Sequence, residues 1–182
     1  SKPMVAIMRE ILRKYPKCEF GRELFPGNPI PILRVSGGKT TADVADWGYL
    51  TQKGKRVYNA RSETLLEKPL FGKDFVQNRC VIPVTGFCEW DGDGTGWDFL
   101  PQEEEMLYLA GFCRKKTEGW EATVVTEHAS GCVGEIHHRT PLILSGENLR
   151  QWLYDEGQAR QFLEEAKERV LLKRKKMEGE TL

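Results

Sequence analysis

From about Glu23 to Leu144 the sequence runs in short apolar stretches broken by Gly and Pro, and this punctuation constrains the fold more than any other feature. PIPILRV (29–35), RCVIPV (79–84), MLYLAGF (106–112) and ATVVT (122–126) all read as strands. Apolar residues stand side by side in several of them, so many of these strands are expected to be covered on both faces. The Gly-rich DGDGTG (91–96) reads as a tight connection between two strands. Helical periodicity is confined to the two ends. Pro3 suits a first helical position, Met4, Ile7, Met8, Ile11 and Tyr15 share one face of a helix over 3–15, and Pro16 stops it. Toward the other end Ser145 reads as the N-cap of a helix over GENLRQWLYDE, with Leu149, Trp152 and Leu153 facing inward. A second helix is expected from about Gln158 to Arg169 on Phe162, Leu163 and Ala166, and then a basic, solvated tail, KRKKMEGETL (173–182). With no internal repeat and no linker, the expectation is a single domain over 1–182 of the α+β class. Its core would be a mostly antiparallel sheet or barrel, with flanking helices.

Composition excludes more than it assigns. Lys and Arg together number 27 and so do Asp and Glu, so bulk attraction to nucleic acid is absent and any DNA site must come from local clustering. No apolar run approaches the roughly 18 residues of a membrane span, and no secretory leader is visible. Cys18, Cys80, Cys88, Cys113 and Cys132, an odd number without a C-x-x-C pair, read as reduced packing thiols in a cytoplasmic protein. The set His128, Cys132, His137 and His138 matches no usual zinc spacing, so neither a metal nor a cofactor is expected.

Four short segments carry chemistry against this background. Trp47-Gly48 ends an expected strand, where the indole reads either as core or as a platform for a base. In Asn59-Ala60-Arg61-Ser62-Glu63-Thr64, residues two apart on an extended chain share a face, so Asn59 and Arg61 present an amide and a guanidinium fork together. That pair suits a phosphate or a polar base edge. The structural alternative makes Asn59 a turn residue and pairs Arg61 with Glu63. Gly86-Phe87-Cys88-Glu89-Trp90 puts a carboxylate beside a core strand, where burial would raise its pKa and make Glu89 a general acid or base. The alternative is an ion pair with Arg61 or Arg139. In Ile136-His137-His138-Arg139-Thr140-Pro141, adjacent histidines on a strand would face opposite ways, one into a site and one out. A satisfied structural histidine is the alternative there.

The order and joint occurrence of these segments weigh more than any one of them. W-G, N-A-R-x-E-T, R-C-x-x-P-x-x-G-F-x-E-W and I-H-x-R-x-P-x-x-L followed by W-L together closely resemble the SRAP family, the SOS-response-associated peptidase domains, from about Phe25 to Leu153. The resemblance implies a compact, largely β fold with helices outside, and chemistry on abasic sites in single-stranded DNA. In that family a cysteine directly after the initiator methionine becomes the mature N-terminus once the methionine is removed autoproteolytically. Its α-amine condenses with the ring-opened aldehyde of the abasic sugar, and its thiol closes a thiazolidine, leaving a covalent DNA–protein crosslink.

Carried over to this sequence, Asn59 and Arg61 would hold the N-terminus and the DNA backbone. Glu89 would orient or deprotonate the α-amine, and His137 would shuttle protons at the sugar. Trp47 would belong to the groove that splays the strand, and Arg139 would support phosphate contacts or the Glu89 charge. Two departures are modest: Cys88 stands where the family usually has Tyr, and Thr140 where it has Met. The larger one is at the start. The family opens Met-Cys-Gly-Arg with a strand ahead of its first helix, whereas this sequence opens Ser1-Lys2-Pro3. The nucleophile is therefore expected upstream of Ser1, the alternative being a divergent member without it. Two rival functions stay open. One is a Cys–His peptidase with Cys88 as nucleophile, His137 as base and Glu89 as orienter; the other is a module that binds single-stranded DNA without covalent chemistry.

Overall fold

The computed structural model describes residues 4–21, 23–164 and 170–177. Its first element is the amphipathic helix α1 (Met4–Lys14), which buries Ile7 and Ile11 completely. Strands then dominate. A long hairpin of β1 (Pro29–Ser36) and β2 (Lys39–Trp47) leads through the short strands β3 (Tyr49–Leu50), β4 (Arg56–Val57) and β5 (Asn59–Arg61) to helix α2 (Gly72–Gln77) and strand β6 (Arg79–Val84). A second hairpin follows, β7 (Phe87–Trp90) and β8 (Gly96–Pro101), turned by the Gly-rich segment as its composition requires. Two long strands come next, β9 (Leu107–Lys115) and β10 (Trp120–His128). The short helix α3 (Gly131–Gly134), strands β11 (Arg139–Pro141) and β12 (Ile143–Leu144), helices α4 (Asn148–Tyr154) and α5 (Glu156–Glu164) and strand β13 (Leu172–Lys176) complete the order.

Strands β10, β2, β1, β6 and β9 are hydrogen-bonded in that order, and β9 pairs again with β10, so the five close into a barrel-like ring. Every pairing in the ring is antiparallel except that of β10 with β2, and β5 is a second parallel partner of β10. This is the expected α+β architecture, with helices packed against a mostly antiparallel core. Side chains alternate across each strand, and both faces are covered. Leu107, Leu109 and Cys113 of β9 join Ile30, Ile32, Ile82 and Val124 in one core. Tyr108, Ala110 and Phe112 of the same strand join a second core with Ile7, Phe75, Trp152 and Phe162 from the helices. Two cores on one set of strands explain why the apolar runs do not alternate with polar residues. Each buried aliphatic or aromatic side chain contributes roughly 1.5–3 kcal/mol, so this double coverage holds the ring more than its short turns do. Trp152 links helix to sheet: fully buried, it meets Phe75 at 5.8 Å and donates its indole N–H to the Cys80 carbonyl at 2.9 Å.

The far end of the chain differs from expectation in three ways. Helix α4 begins at Asn148 without a side-chain cap, and Ser145 takes part only through its carbonyl, which accepts the Asn148 N–H at 3.0 Å. Helix α5 begins at Glu156, ahead of Gln158, because the Asp155 carboxylate accepts the Gln158 N–H at 3.0 Å and so serves as its cap. Ala166 and the expected end at Arg169 lie outside the described residues, as does Pro3. The basic tail is not simply solvated. Its first part forms β13, whose backbone is satisfied by β8 in the sheet β13-β8-β7 while its basic side chains stay exposed. Among the described residues, no helix is long and apolar enough to cross a membrane.

Candidate functional site

Strand β10 gathers the polar segments around it. Along β5, Asn59 stands opposite Val124, Ala60 opposite Val125 and Arg61 opposite Thr126. Ala60 is buried and its two neighbours are exposed, so alternation sends the Asn59 amide and the Arg61 guanidinium out on one face together. Trp47 closes β2 nearby. It is half-buried against the core that holds Ile30 and Val124, and its indole N–H donates to the Tyr58 carbonyl at 3.2 Å. The two rings meet edge-on at 6.0 Å. Trp47 is thus partly core, and Tyr58, which no motif singled out, is the more exposed aromatic beside Asn59. The chain can turn after Trp47 because Gly48 adopts a φ of +101°, and a Cβ there would lie 2.6 Å from Arg56 Cγ.

The carboxylate comes from the hairpin β7–β8. Gly86 opens it because β8 passes close by: a Cβ at Gly86 would sit 2.7 Å from the Phe99 carbonyl oxygen. Phe87 stacks on Phe99 at 5.2 Å, and Glu89 follows on the same face, opposite Trp97. His137 is delivered by the segment between α3 and β11, where its N–H donates to the Val133 carbonyl at 2.8 Å. Its Nδ1 stands 3.6 Å from Glu89 Oε2, 3.0 Å from the Arg139 carbonyl oxygen and 3.2 Å from the Arg139 amide nitrogen. Both side chains are half-buried. Burial pushes the Glu89 carboxyl above the ordinary carboxylate range, and the nearby His137 pulls it part of the way back. A carboxyl raised in this way, facing an imidazole, forms a pair able to pass protons in either direction.

Two expectations for this region change. His137 and His138 do not lie on a strand with their rings on opposite sides. The strand begins only at Arg139, the chain is still turning out of α3, and the two rings sit together 4.5 Å apart. Of the two roles considered for Arg139, support of the Glu89 charge is not the contact it makes. Its guanidinium binds Glu63 bidentately at 2.6 and 3.1 Å and donates to the Thr126 carbonyl at 2.7 Å. Arg139 therefore also replaces Arg61 as the partner of Glu63. The Arg139 guanidinium holds the Glu63 carboxyl below its usual range, and His128 adds to this from 3.1 Å. Among the described residues, no hydrogen bond or ion pair joins Asn59 or Arg61 to Glu89 or His137. The Glu63–Arg139 bridge connects the two halves instead. Glu63 was visible as the glutamate of N-A-R-x-E-T, but its partner lies 76 residues away and only the fold supplies it.

All five cysteines are free. Cys88 faces away from Glu89 by strand alternation, and its thiol donates to Asp98 Oδ1 at 3.1 Å. That thiol is pushed up to about 12, by burial first and then by Asp98, with Glu89 a lesser cause. The residues weighed for a metal have other engagements: His128 faces Glu63 and the Cys132 thiol lies 3.7 Å from the Leu172 carbonyl oxygen.

The chain closes a largely antiparallel five-stranded ring, and the separate sheet β13-β8-β7 carries a half-buried carboxyl that lies 3.6 Å from the His137 imidazole. The family model described as SOS response associated peptidase (SRAP) matches residues 10–178, and the chain belongs to that family. Among curated relatives, the abasic site processing protein YoqW of Bacillus subtilis is 32% identical over 119 residues, covering 60% of this chain and 53% of that protein. The abasic site processing protein HMCES of Gallus gallus is 34% identical over 124 residues, covering 52% and 37% respectively. The chain thus spans about half the length of the first curated relatives it matches. Solved structures share the fold. A protein from Bordetella bronchiseptica superposes with a TM-score of 0.76 at 22% identity, covering 92% of this chain and 94% of its own. One from Bacteroides thetaiotaomicron gives 0.72 at 19%, covering 98% and 90%.

Proposed function

We propose that this protein senses and shields abasic sites in single-stranded DNA by forming a covalent crosslink to them. The observation that carries this reading is the half-buried Glu89–His137 pair, 3.6 Å apart, in a family with curated relatives named abasic site processing proteins. In this reading the nucleophile is a cysteine freed as the mature N-terminus, the residue that the family resemblance implies. It is freed when water adds to the initiator methionine carbonyl and the Met–Cys C–N bond breaks. Glu89 then accepts a proton from the α-ammonium. The free amine adds to the sugar aldehyde, forming a C–N bond, and the carbonyl oxygen takes a proton from His137. The nitrogen gives up its two protons, one restoring His137 and one going to the oxygen, the C–O bond breaks, and water leaves behind an imine. The thiol sulfur adds to the imine carbon and its proton passes to the nitrogen, closing a thiazolidine with the net loss of one water.

In this reading Asn59 and Arg61 hold the N-terminus and the strand backbone. Trp47, with Tyr58, lines the groove, and Arg139 holds the His137 segment and stands within reach of a phosphate. Unpaired DNA is preferred, because stacking on aromatic side chains needs open base faces. Sequence preference is slight, because backbone contacts carry no base information. We place the protein in the cytoplasm, where free thiols persist. Against a Cys–His peptidase acting on other proteins stands the Cys88 thiol, pushed up to about 12 beside Asp98, the reverse of an activated nucleophile. Mass spectrometry of nuclease-digested adduct from the full-length protein tests the covalent step. A sugar remnant on an N-terminal cysteine peptide is expected; a remnant on any other peptide overturns the mechanism.

A further inference from the structure

The run Lys173-Arg174-Lys175-Lys176 has no part in the chemistry above, yet β13 places it beside the acid–base pair. In the sheet β13-β8-β7, Lys176 stands opposite Trp97, and Trp97 opposite Glu89. Arg174 stands opposite Phe99, and Phe99 opposite Phe87. Directly opposed side chains share a face. One face therefore carries Phe87, Glu89, Trp97, Phe99, Arg174 and Lys176, while Cys88, Asp98, Lys173 and Lys175 belong to the other. Strands lie about 4.8 Å apart, so the Lys176 backbone is about 10 Å from that of Glu89. Across this face Phe99 is fully buried, Trp97 is half-buried and the two cations are exposed, so the row from Glu89 through Trp97 to Lys176 opens toward solvent.

The aromatic in the middle of that row is fixed. Trp97 donates its indole N–H to Asp91 Oδ2 at 2.9 Å, and the Arg174 guanidinium lies 5.2 Å from the centre of its ring. Arg174 also reaches Glu135 Oε2 at 2.5 Å, but the Glu135 side chain is 63% exposed. An ion pair this open is weak, and a phosphate can take the place of the carboxylate. An aromatic face flanked by two exposed cations is the combination that tracks an unpaired nucleic-acid strand.

We infer that Arg174 and Lys176, with Trp97, form a second contact subsite for single-stranded DNA, gripping the backbone of the nucleotides that flank the abasic sugar. This rests on the abasic-site reading, whose strand it continues beyond Glu89. A Lys-rich edge strand also resists pairing with other sheets, but that protection needs only charge, on either face. The subsite needs the face shared with Glu89.

The test is fluorescence anisotropy with a labelled single-stranded oligonucleotide bearing a tetrahydrofuran residue, an abasic analogue without an aldehyde, across a salt series. For single strands, log K falls with log salt by about 0.7 for each phosphate neutralised. Arg174→Gln with Lys176→Gln is expected to reduce that slope by about 1.4. Lys173→Gln with Lys175→Gln makes the same charge change on the opposite face and is expected to leave the slope unchanged. An equal change in both pairs, or no change in either, overturns the inference while leaving the abasic-site reading in place. No binding by the unsubstituted protein overturns both.

Discussion

A carboxyl half-buried between the hairpin β7–β8 and an imidazole costs the fold free energy each time it ionises, because burial disfavours the charged form more than His137 restores it. The folded-state pKa of Glu89 is raised. Its contribution to stability is therefore full below the ordinary carboxylate range and is lost as pH rises through the raised value. Glu89→Gln, which keeps the shape and removes the charge, should raise Tm at neutral pH, with the gain shrinking as pH falls toward the ordinary range. A thermal-unfolding series across pH checks this; a gain of the same size at every pH contradicts it. In the full-length protein the same change, like His137→Ala, should slow adduct formation by about 10²- to 10⁴-fold, the usual weight of a general acid or base. A residue kept at a cost to stability and needed for the rate is the mark of a functional position.

At the scale of elements, what matters is how β5 and β11, on either side of β10, are held in one arrangement. Glu63 follows β5, Arg139 opens β11, and their bidentate contact at 2.6 and 3.1 Å fixes the Asn59–Arg61 strand relative to the segment that presents His137. Glu63→Ala leaves a guanidinium that is 11% exposed without its main partner. The expected cost is about 2 kcal/mol, between the values for exposed and buried pairs. Adduct formation should fall as well, with Glu63→Gln recovering part of both losses; unchanged stability and rate in Glu63→Ala would show that the bridge supports neither. The sequence made Asn59 and Arg61 legible as a pair because strand alternation is a local rule. It left the partner of Glu63 open because that contact spans the chain. The histidine pair departs from expectation for a related reason: alternation holds along a strand, and this segment is still leaving α3. The strand β13 was missed because its side chains read as solvated, which they are, while its pairing with β8 is a backbone property.

For the whole molecule, the apolar runs pointed to strands covered on both faces of a sheet or barrel, and the periodic stretches pointed to helices at the chain ends. Both signals are composition repeated over many residues, so small errors at Ser145 or Gln158 did not disturb them. Closure of the ring through the second pairing of β9 with β10 left no local trace. The candidate site was legible as a set of segments, and its geometry was not, because Glu89 and His137 meet only through the packing of the hairpin β7–β8 against the segment after α3. Processing of abasic DNA is the function proposed for this arrangement. It is tested most directly by incubating the full-length protein with two single-stranded oligonucleotides, identical except for one abasic site, and running the products on a denaturing gel. A denaturation-resistant adduct with the abasic strand alone is expected; equal adduct on intact DNA, or none on either, would overturn the proposed function.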